Sequence, residues 1–118
     1  MTFRSLLFVP GSRPERFEKA IASGADAICI DLEDAVAPAD REKARENLSA
    51  LLSHERPERP AIGTRINGLR TADGVRDLNA VLGWRFPDFI MIAKADYAED
   101  VGLANELFGG KKSVVAAG

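Results

Sequence analysis

Three carboxylates, Asp31, Glu33 and Asp34, follow directly on the apolar run Ala27-Ile28-Cys29-Ile30. Such a run reads as a buried strand. Acids at its end are costly unless they meet water, a cation or a metal. Asp31 and Glu33 are two apart in the chain, so in an extended backbone they point the same way. They could bind a metal, bind its waters or orient a cation; helix capping and ion pairing at a loop is the competing reading. Other apolar runs also end in charge: Arg13 after Leu6–Val9, Arg65 within Ala61–Ile66, and Lys94 after Phe89–Ile92. Arg13, with Lys19 about two turns along a helix, suits a phosphate at a helix start; alternatively both are solvated cations beside a capped helix. Arg65 needs a carboxylate or carbonyl partner. That partner is Glu33 or Asp34, a substrate, or both. Lys94 reads first as a neutraliser of nearby acids, and as a Schiff-base nucleophile only if desolvated. Charge repeated at corresponding strand ends is the pattern of an active-site face.

The elements that must position these groups alternate along the chain. Leu6–Val9 is a strand stopped by Pro10-Gly11. Ser12 and Glu15 have the spacing of a capping box, and the helix that follows has an apolar stripe of Phe17, Ala20, Ile21 and Gly24. The second strand is Ala27–Asp31. Asp40 is the expected N-cap of a second helix with buried Ala44, Leu48, Leu51 and Leu52. Residues 57–60 are a linker. Ala61–Ile66 is the third strand, and Asn67-Gly68 a turn. Thr71 caps a third helix, expected to bury Val75, Leu78 and Leu82. Phe89–Ile92 is the fourth strand. A fourth helix near Ala98–Phe108 has Val101, Ala104 and Phe108 on one side, and Ser113–Ala116 begins a fifth strand. Strand and helix in alternation predict an α/β fold of parallel βα repeats. A closed (β/α)8 barrel needs about 250 residues. The 118 residues here therefore make either a small open sheet or the front half of a barrel, treated as one partial domain over 1–118.

Composition narrows the class. Apolar residues are 46% and charged residues 29%, with a net charge of −2, which suits a soluble globular domain. No basic run suggests nucleic acid, and no run is long enough to span a membrane. The single cysteine, Cys29, reads as a core residue in a reduced, cytoplasmic setting. His54, the one histidine, reads as a surface residue, and Trp84 and Tyr97 as packing residues.

The motifs Arg4-Ser5-Leu6-Leu7-Phe8-Val9-Pro10-Gly11-Ser12-Arg13-Pro14, Lys19-Ala20, Asp31-Leu32-Glu33-Asp34-Ala35-Val36, Lys43-Ala44-Arg45, Arg65-Ile66-Asn67 and Pro87-Asp88 resemble the citrate lyase β-subunit-like family. That family includes malyl-CoA and citramalyl-CoA lyases and lies within the HpcH/HpaI aldolase superfamily. The resemblance covers nearly the whole chain. It implies the N-terminal half of a TIM barrel, trimeric or hexameric assembly of the full-length protein, and Mg²⁺-dependent cleavage or condensation of a 3-hydroxyacyl thioester. The substrates implied are an acyl-CoA or acyl-carrier-protein thioester and a small oxo acid. By position, Phe8, Arg13 and Lys19 would contact CoA. Arg65 would grip the oxo-acid carboxylate or the enolate oxygen. Glu33 and Asp34 would lie near the metal and orient Arg65 and metal-bound water, with Asp31 and Lys94 behind them.

Two departures stand out. Ala93 occupies a position where the family commonly has proline, and the family's direct magnesium ligands fall beyond Gly118. The expectation is therefore an inactive fragment of a carbon–carbon lyase. The rival readings are a non-catalytic half-barrel that binds CoA or phosphate and assembles with another chain, and, more weakly, a receiver-like open sheet.

Overall fold

A computed structural model describes residues 4–53, 59–84, 87–93, 98–109 and 113–117. Its strands are β1 (Leu6–Pro10), β2 (Ala27–Asp31), β3 (Ala61–Ile66), β4 (Phe89–Ala93) and β5 (Ser113–Ala117). They form one sheet in the order β1-β2-β3-β4-β5. Every neighbouring pair is parallel. The helices are α1 (Phe17–Ile21), α2 (Arg41–Leu52), α3 (Ala72–Leu82) and α4 (Ala98–Phe108), each between successive strands.

Alternation along the strands divides the side chains between two faces. One face carries Val9, Ile28, Ile30, Ile62, Ile66, Ile90 and Ile92. These join Phe17, Leu48, Val81, Ala104 and Phe108 of the helices in the main core. The other face carries a smaller cluster of Ala27, Cys29 and Phe89, flanked by Leu6, Ala61 and Met91. β2 is buried at every position, as a central parallel strand covered on both sides should be. Gly63 lies beside the Phe89 ring, which fills the space a Cβ would take. On this second face Phe8 is 45% and Val115 41% exposed.

The seam between α2 and α3 is ionic. Arg41 and Arg45, one turn apart, face Asp73 and Asp77, also one turn apart. Burial decides which of these pairs matters. Lys43–Glu46, with both side chains largely exposed, contributes at most about 0.5 kcal/mol. Arg45–Asp77 is 2.8 Å long with the carboxylate fully buried, and removing one partner would cost about 3–5 kcal/mol.

Several local expectations give way to this packing. α3 buries Gly74, Asp77 and Val81, whereas Val75 and Leu82 are exposed and Leu78 only partly buried. The helix is turned so that its paired acid faces inward and Gly74 lies flat on the Gly68 backbone. The capping box does not form: the chain enters through a 3-10 turn, Pro14–Arg16, flanked by Arg13 without a side-chain cap. Asp40 does not cap α2 either, because it already belongs to the 3-10 turn Pro38–Asp40 that runs into the helix. Gly24 is exposed rather than buried; its φ of 87° marks it as the turn that ends the α1 segment. Thr71 does cap α3, its hydroxyl accepting from the Gly74 amide at 3.0 Å. Leu48 and Leu52 of α2 and Trp84 are buried as expected.

Gly74 offers the clearest test of this docking. A Gly74→Ala substitution places its Cβ on the Gly68 carbonyl and should cost at least about 2 kcal/mol in urea denaturation. A change below about 0.5 kcal/mol would contradict the close approach.

Candidate active site

Strand register builds the site. Pro10, Asp31, Arg65, Met91 and Val115 lie in one row across the sheet. The row two residues earlier holds Phe8, Cys29, Gly63, Phe89 and Ser113. The charged members of the first row, Asp31 and Arg65, therefore lie at the C-terminal ends of β2 and β3, on the face opposite the helices.

Asp31 is the fixed point, 1% exposed. Its Oδ1 accepts from Arg65 Nε and from the Glu33 amide, both at 2.9 Å. Its Oδ2 accepts from Arg65 Nη2 at 2.6 Å and from the Ala35 amide at 2.9 Å. A carboxylate accepts about four hydrogen bonds, so Asp31 is saturated within the fold. Burial alone would raise its pKa, but the donors from Arg65, Ala35 and Glu33 win, and the carboxyl sits below the usual range. Donating to Asp31 in turn raises the Arg65 pKa further, against burial, so the guanidinium is permanently charged.

Arg65 is thereby oriented. Nε and Nη2 are spent on Asp31, and Nη1 makes no hydrogen bond among the described residues. The Phe8 ring packs on the guanidinium, 5.1 Å from Cζ to ring centroid; such a contact contributes about 0.5–1 kcal/mol at an exposed site. Glu33 is buried, with Oε1 3.9 Å from Arg65 Nε. That is a Coulombic neighbour rather than a hydrogen-bond partner. The result is a rigid cation with a preset donor edge, flanked by a carboxylate.

The other expected groups are placed as follows. Asp34 is exposed, one residue beyond Glu33. Arg13 is exposed in the turn after β1, its amide donating to the Pro10 carbonyl. Lys19 is exposed on α1, a helix of only 5 residues, so phosphate affinity there would rest on side-chain charge rather than on a helix dipole. Lys94, His54 and Tyr97 lie outside the described residues. Among the described residues, no three carboxylate, thiol or imidazole groups gather as a metal site, and Asp31 has no acceptor capacity to spare. These residues alone do not make a magnesium ligand set.

A supporting layer was missed by sequence reading. Asn67, read as a turn residue and as part of the Arg65-Ile66-Asn67 motif with no role of its own, donates from Nδ2 to the Leu32 carbonyl and to Asp77 Oδ2. Thr64 donates its hydroxyl to the Ile30 carbonyl, and Asn47 of α2 donates to the Gly11 carbonyl. Arg45 and Asp77 complete this layer; Arg45 stood in the Lys43-Ala44-Arg45 motif, whereas nothing in the sequence singled out Asp77.

Comparison with known proteins places this arrangement. The family model described as HpcH/HpaI aldolase/citrate lyase matches residues 4–113. The chain belongs to this family. Within the HpcH/HpaI family, the L-malyl-CoA/β-methylmalyl-CoA lyase of Cereibacter sphaeroides is 46% identical over 101 residues, covering 83% of this chain and 31% of the relative. A (3S)-malyl-CoA thioesterase from the same species is 40% identical, over 89% of this chain and 36% of its own length. The citrate lyase β subunit of M. tuberculosis, complexed with oxaloacetate and magnesium, superposes with a TM-score of 0.75 at 37% identity, covering 94% of this chain and 45% of that one. The CitE protein of Mycobacterium tuberculosis, in complex with magnesium, acetoacetate and coenzyme A, superposes with a TM-score of 0.74 at 41% identity, over 94% and 38%. The chain thus spans about a third of the length of the curated relatives. Its sheet and helices are the parallel βα units of the family barrel.

Two predictions follow from the site's electrostatics. An unfolded Asp titrates near 3.9 and folded Asp31 below its usual range. On acidification the unfolded chain takes up the proton first, so stability held at neutral pH is lost as pH falls through that window. Melting temperatures measured between pH 7 and pH 2 should show this acid limb, and Asp31→Asn should flatten part of it; an unaltered limb would contradict the pairing. Cys29 is fully buried, and burial, then the Asp31 charge, pushes its thiol up to about 12. Iodoacetamide at pH 8 should label the native chain on the order of 1,000-fold more slowly than the urea-unfolded chain; equal rates would contradict this.

Proposed function

We propose that residues 1–118 are one partial barrel domain of a carbon–carbon lyase, supplying its carboxylate-binding arginine. The substrate class is a 3-hydroxyacyl thioester: malyl-, citramalyl- or citryl-, on CoA or on a carrier protein. The carrying observation is the Asp31–Arg65 fork, which spends one edge of the guanidinium internally and leaves Nη1 for a ligand. The neighbourhood of malyl-CoA lyase and citrate lyase β relatives supports the reaction class.

In cleavage, the bond between the hydroxyl-bearing carbon and the carbon next to the thioester breaks. The hydroxyl gives up its proton and becomes the carbonyl of the oxo acid. The electron pair moves onto the thioester as an enolate, which is then protonated at carbon. Arg65 binds the oxo-acid carboxylate or the enolate oxygen, where fixed positive charge lowers the barrier most. Asp31 stops the guanidinium from swinging. Glu33 and Asp34 are the carboxylates assigned to orient Arg65 and the reacting groups. Phe8, Arg13 and Lys19 contact the CoA portion. The cofactor proposed is Mg²⁺, supported by the magnesium-bound citrate lyase β structures; the described residues do not by themselves form its ligand set. A trimeric or hexameric assembly and a cytoplasmic location belong to the same proposal.

The half-barrel that binds CoA without catalysis remains a second reading. The exposure of Phe8 and Val115 on the helix-free sheet face favours it. One experiment separates the readings. With Mg²⁺ and malyl-CoA, the full-length protein should release acetyl-CoA and glyoxylate; free CoA and malate would mark thioester hydrolysis instead. The 118-residue chain alone should release neither pair. If that chain binds CoA in calorimetry, with Arg13→Ala and Lys19→Ala each weakening binding about three- to tenfold, the binding module stands. Turnover by the chain alone would overturn the fragment assignment.

A further inference from the structure

Behind the Asp31–Arg65 fork lies a second buried acid whose two oxygens serve different elements. Asp77 of α3 is completely buried. Its Oδ1 accepts from Arg45 Nη1 of α2 at 2.8 Å. Its Oδ2 accepts from two of the three N–H groups of Asn67: the backbone amide at 2.9 Å and one Nδ2 proton at 2.7 Å. The second Nδ2 proton goes to the Leu32 carbonyl at 2.9 Å, while the Leu32 amide donates to the Arg65 carbonyl at 2.9 Å. The Leu32 peptide is thus held from both sides. It is also the link between Asp31 and Glu33, the two acids facing Arg65.

We propose that Asp77, with Arg45, is a positioning residue for the site, acting through Asn67 and the Leu32 carbonyl to fix Asp31 and Glu33 relative to Arg65. A seam that only joined α2 to α3 would need Asp77 Oδ1 alone. Here the other oxygen is spent entirely on the residue that follows β3, and that residue reaches the end of β2. Asn67 makes every one of these bonds with donors, so the buried carboxylate is what fixes the orientation of its amide. Arg45 in turn is held by Glu42 at 2.9 Å as well as by Asp77, which keeps the cation in place without loading Oδ2.

This inference rests on the reading that Arg65 and Glu33 belong to the site, but its test needs no substrate. The readout is solvent exchange of the Arg65 Nε–H proton and of the Glu33 amide, both donors to Asp31, by nitrogen-15 NMR on the whole chain. Asn67→Ala cuts only the side-chain link and leaves Arg45–Asp77 intact. It should speed both exchanges at least about tenfold while circular dichroism stays native. Asp77→Asn should do the same or more, whereas Arg45→Lys, which keeps a cation on Asp77, should stay within about twofold of the parent. If Asp77→Asn fails to fold, Asn67→Ala decides. A folded Asn67→Ala chain whose Arg65 and Glu33 protons exchange within about twofold of the parent rate overturns the proposal. That outcome would leave the lyase reading standing, and a failed lyase assay would leave this one standing.

Discussion

A carboxylate with 1% of its surface exposed must be fully hydrogen-bonded or it destabilises the fold by several kcal/mol. Asp31 meets that condition with four donors, two from Arg65 and two from the loop that follows β2. The constraint fixes much else. β2 and β3 must pair so that Asp31 stands opposite Arg65. The loop after β2 must turn back to present the Glu33 and Ala35 amides. Arg65 must reach across rather than out. The same requirement that keeps the strand ends together leaves a charged group with one face still open.

The helix layer meets the same problem in a different way. Asp77 and Arg45 are buried between α2 and α3, beside the ladder that Arg41 and Asp73 continue. The hydrogen bond from Arg41 holds the Asp73 carboxyl below its ordinary range. Burial opposes the charge on Arg45, and its hydrogen bonds to Asp77 and Glu42 more than restore it. The apolar core around Ile30, Leu48 and Ile90 supplies the bulk of the driving force, since area removed from water contributes about 25 cal/mol per Å². The ionic contacts add little net stability by comparison, but they select a single rotation of α3 and one strand register.

The strands were legible because each is a short β-rich apolar run closed by a breaker or a charge: Leu6–Val9 by Pro10-Gly11, Phe89–Ile92 at Ala93-Lys94, each one residue short of the strand observed. The parallel α/β class followed from the alternation of such runs with helical stripes. The rotation of α3 was not legible. Val75, Leu78 and Leu82 make a better apolar stripe than the Gly74–Asp77–Val81 face that the structure buries, because hydrophobic periodicity has no way to credit an acid that will be paired. The caps at Ser12 and Asp40 failed for a related reason: a 3-10 turn lies between Ser12 and α1, and Asp40 is itself the last residue of another, which changes which amide is orphaned. In the site, the sequence placed Asp31, Glu33 and Arg65 near strand ends and expected Arg65 to pair with Glu33 or Asp34. Glu33 is an ionic neighbour at 3.9 Å, but the hydrogen-bonded fork is on Asp31, and only the β2–β3 register could reveal that.

The central claim is that the fork on Asp31 turns Arg65 into a preset binding group for the reacting anion. Replacing Arg65 by lysine in the full-length protein keeps the charge but removes the fork, since an ammonium cannot engage Asp31 bidentately and still present a fixed second donor. Under the proposed lyase reading, the kcat/KM for malyl-CoA in that variant, with native circular dichroism, tests the claim directly. A fall of at least about a hundredfold is expected; a value within about threefold of the parent enzyme would contradict it.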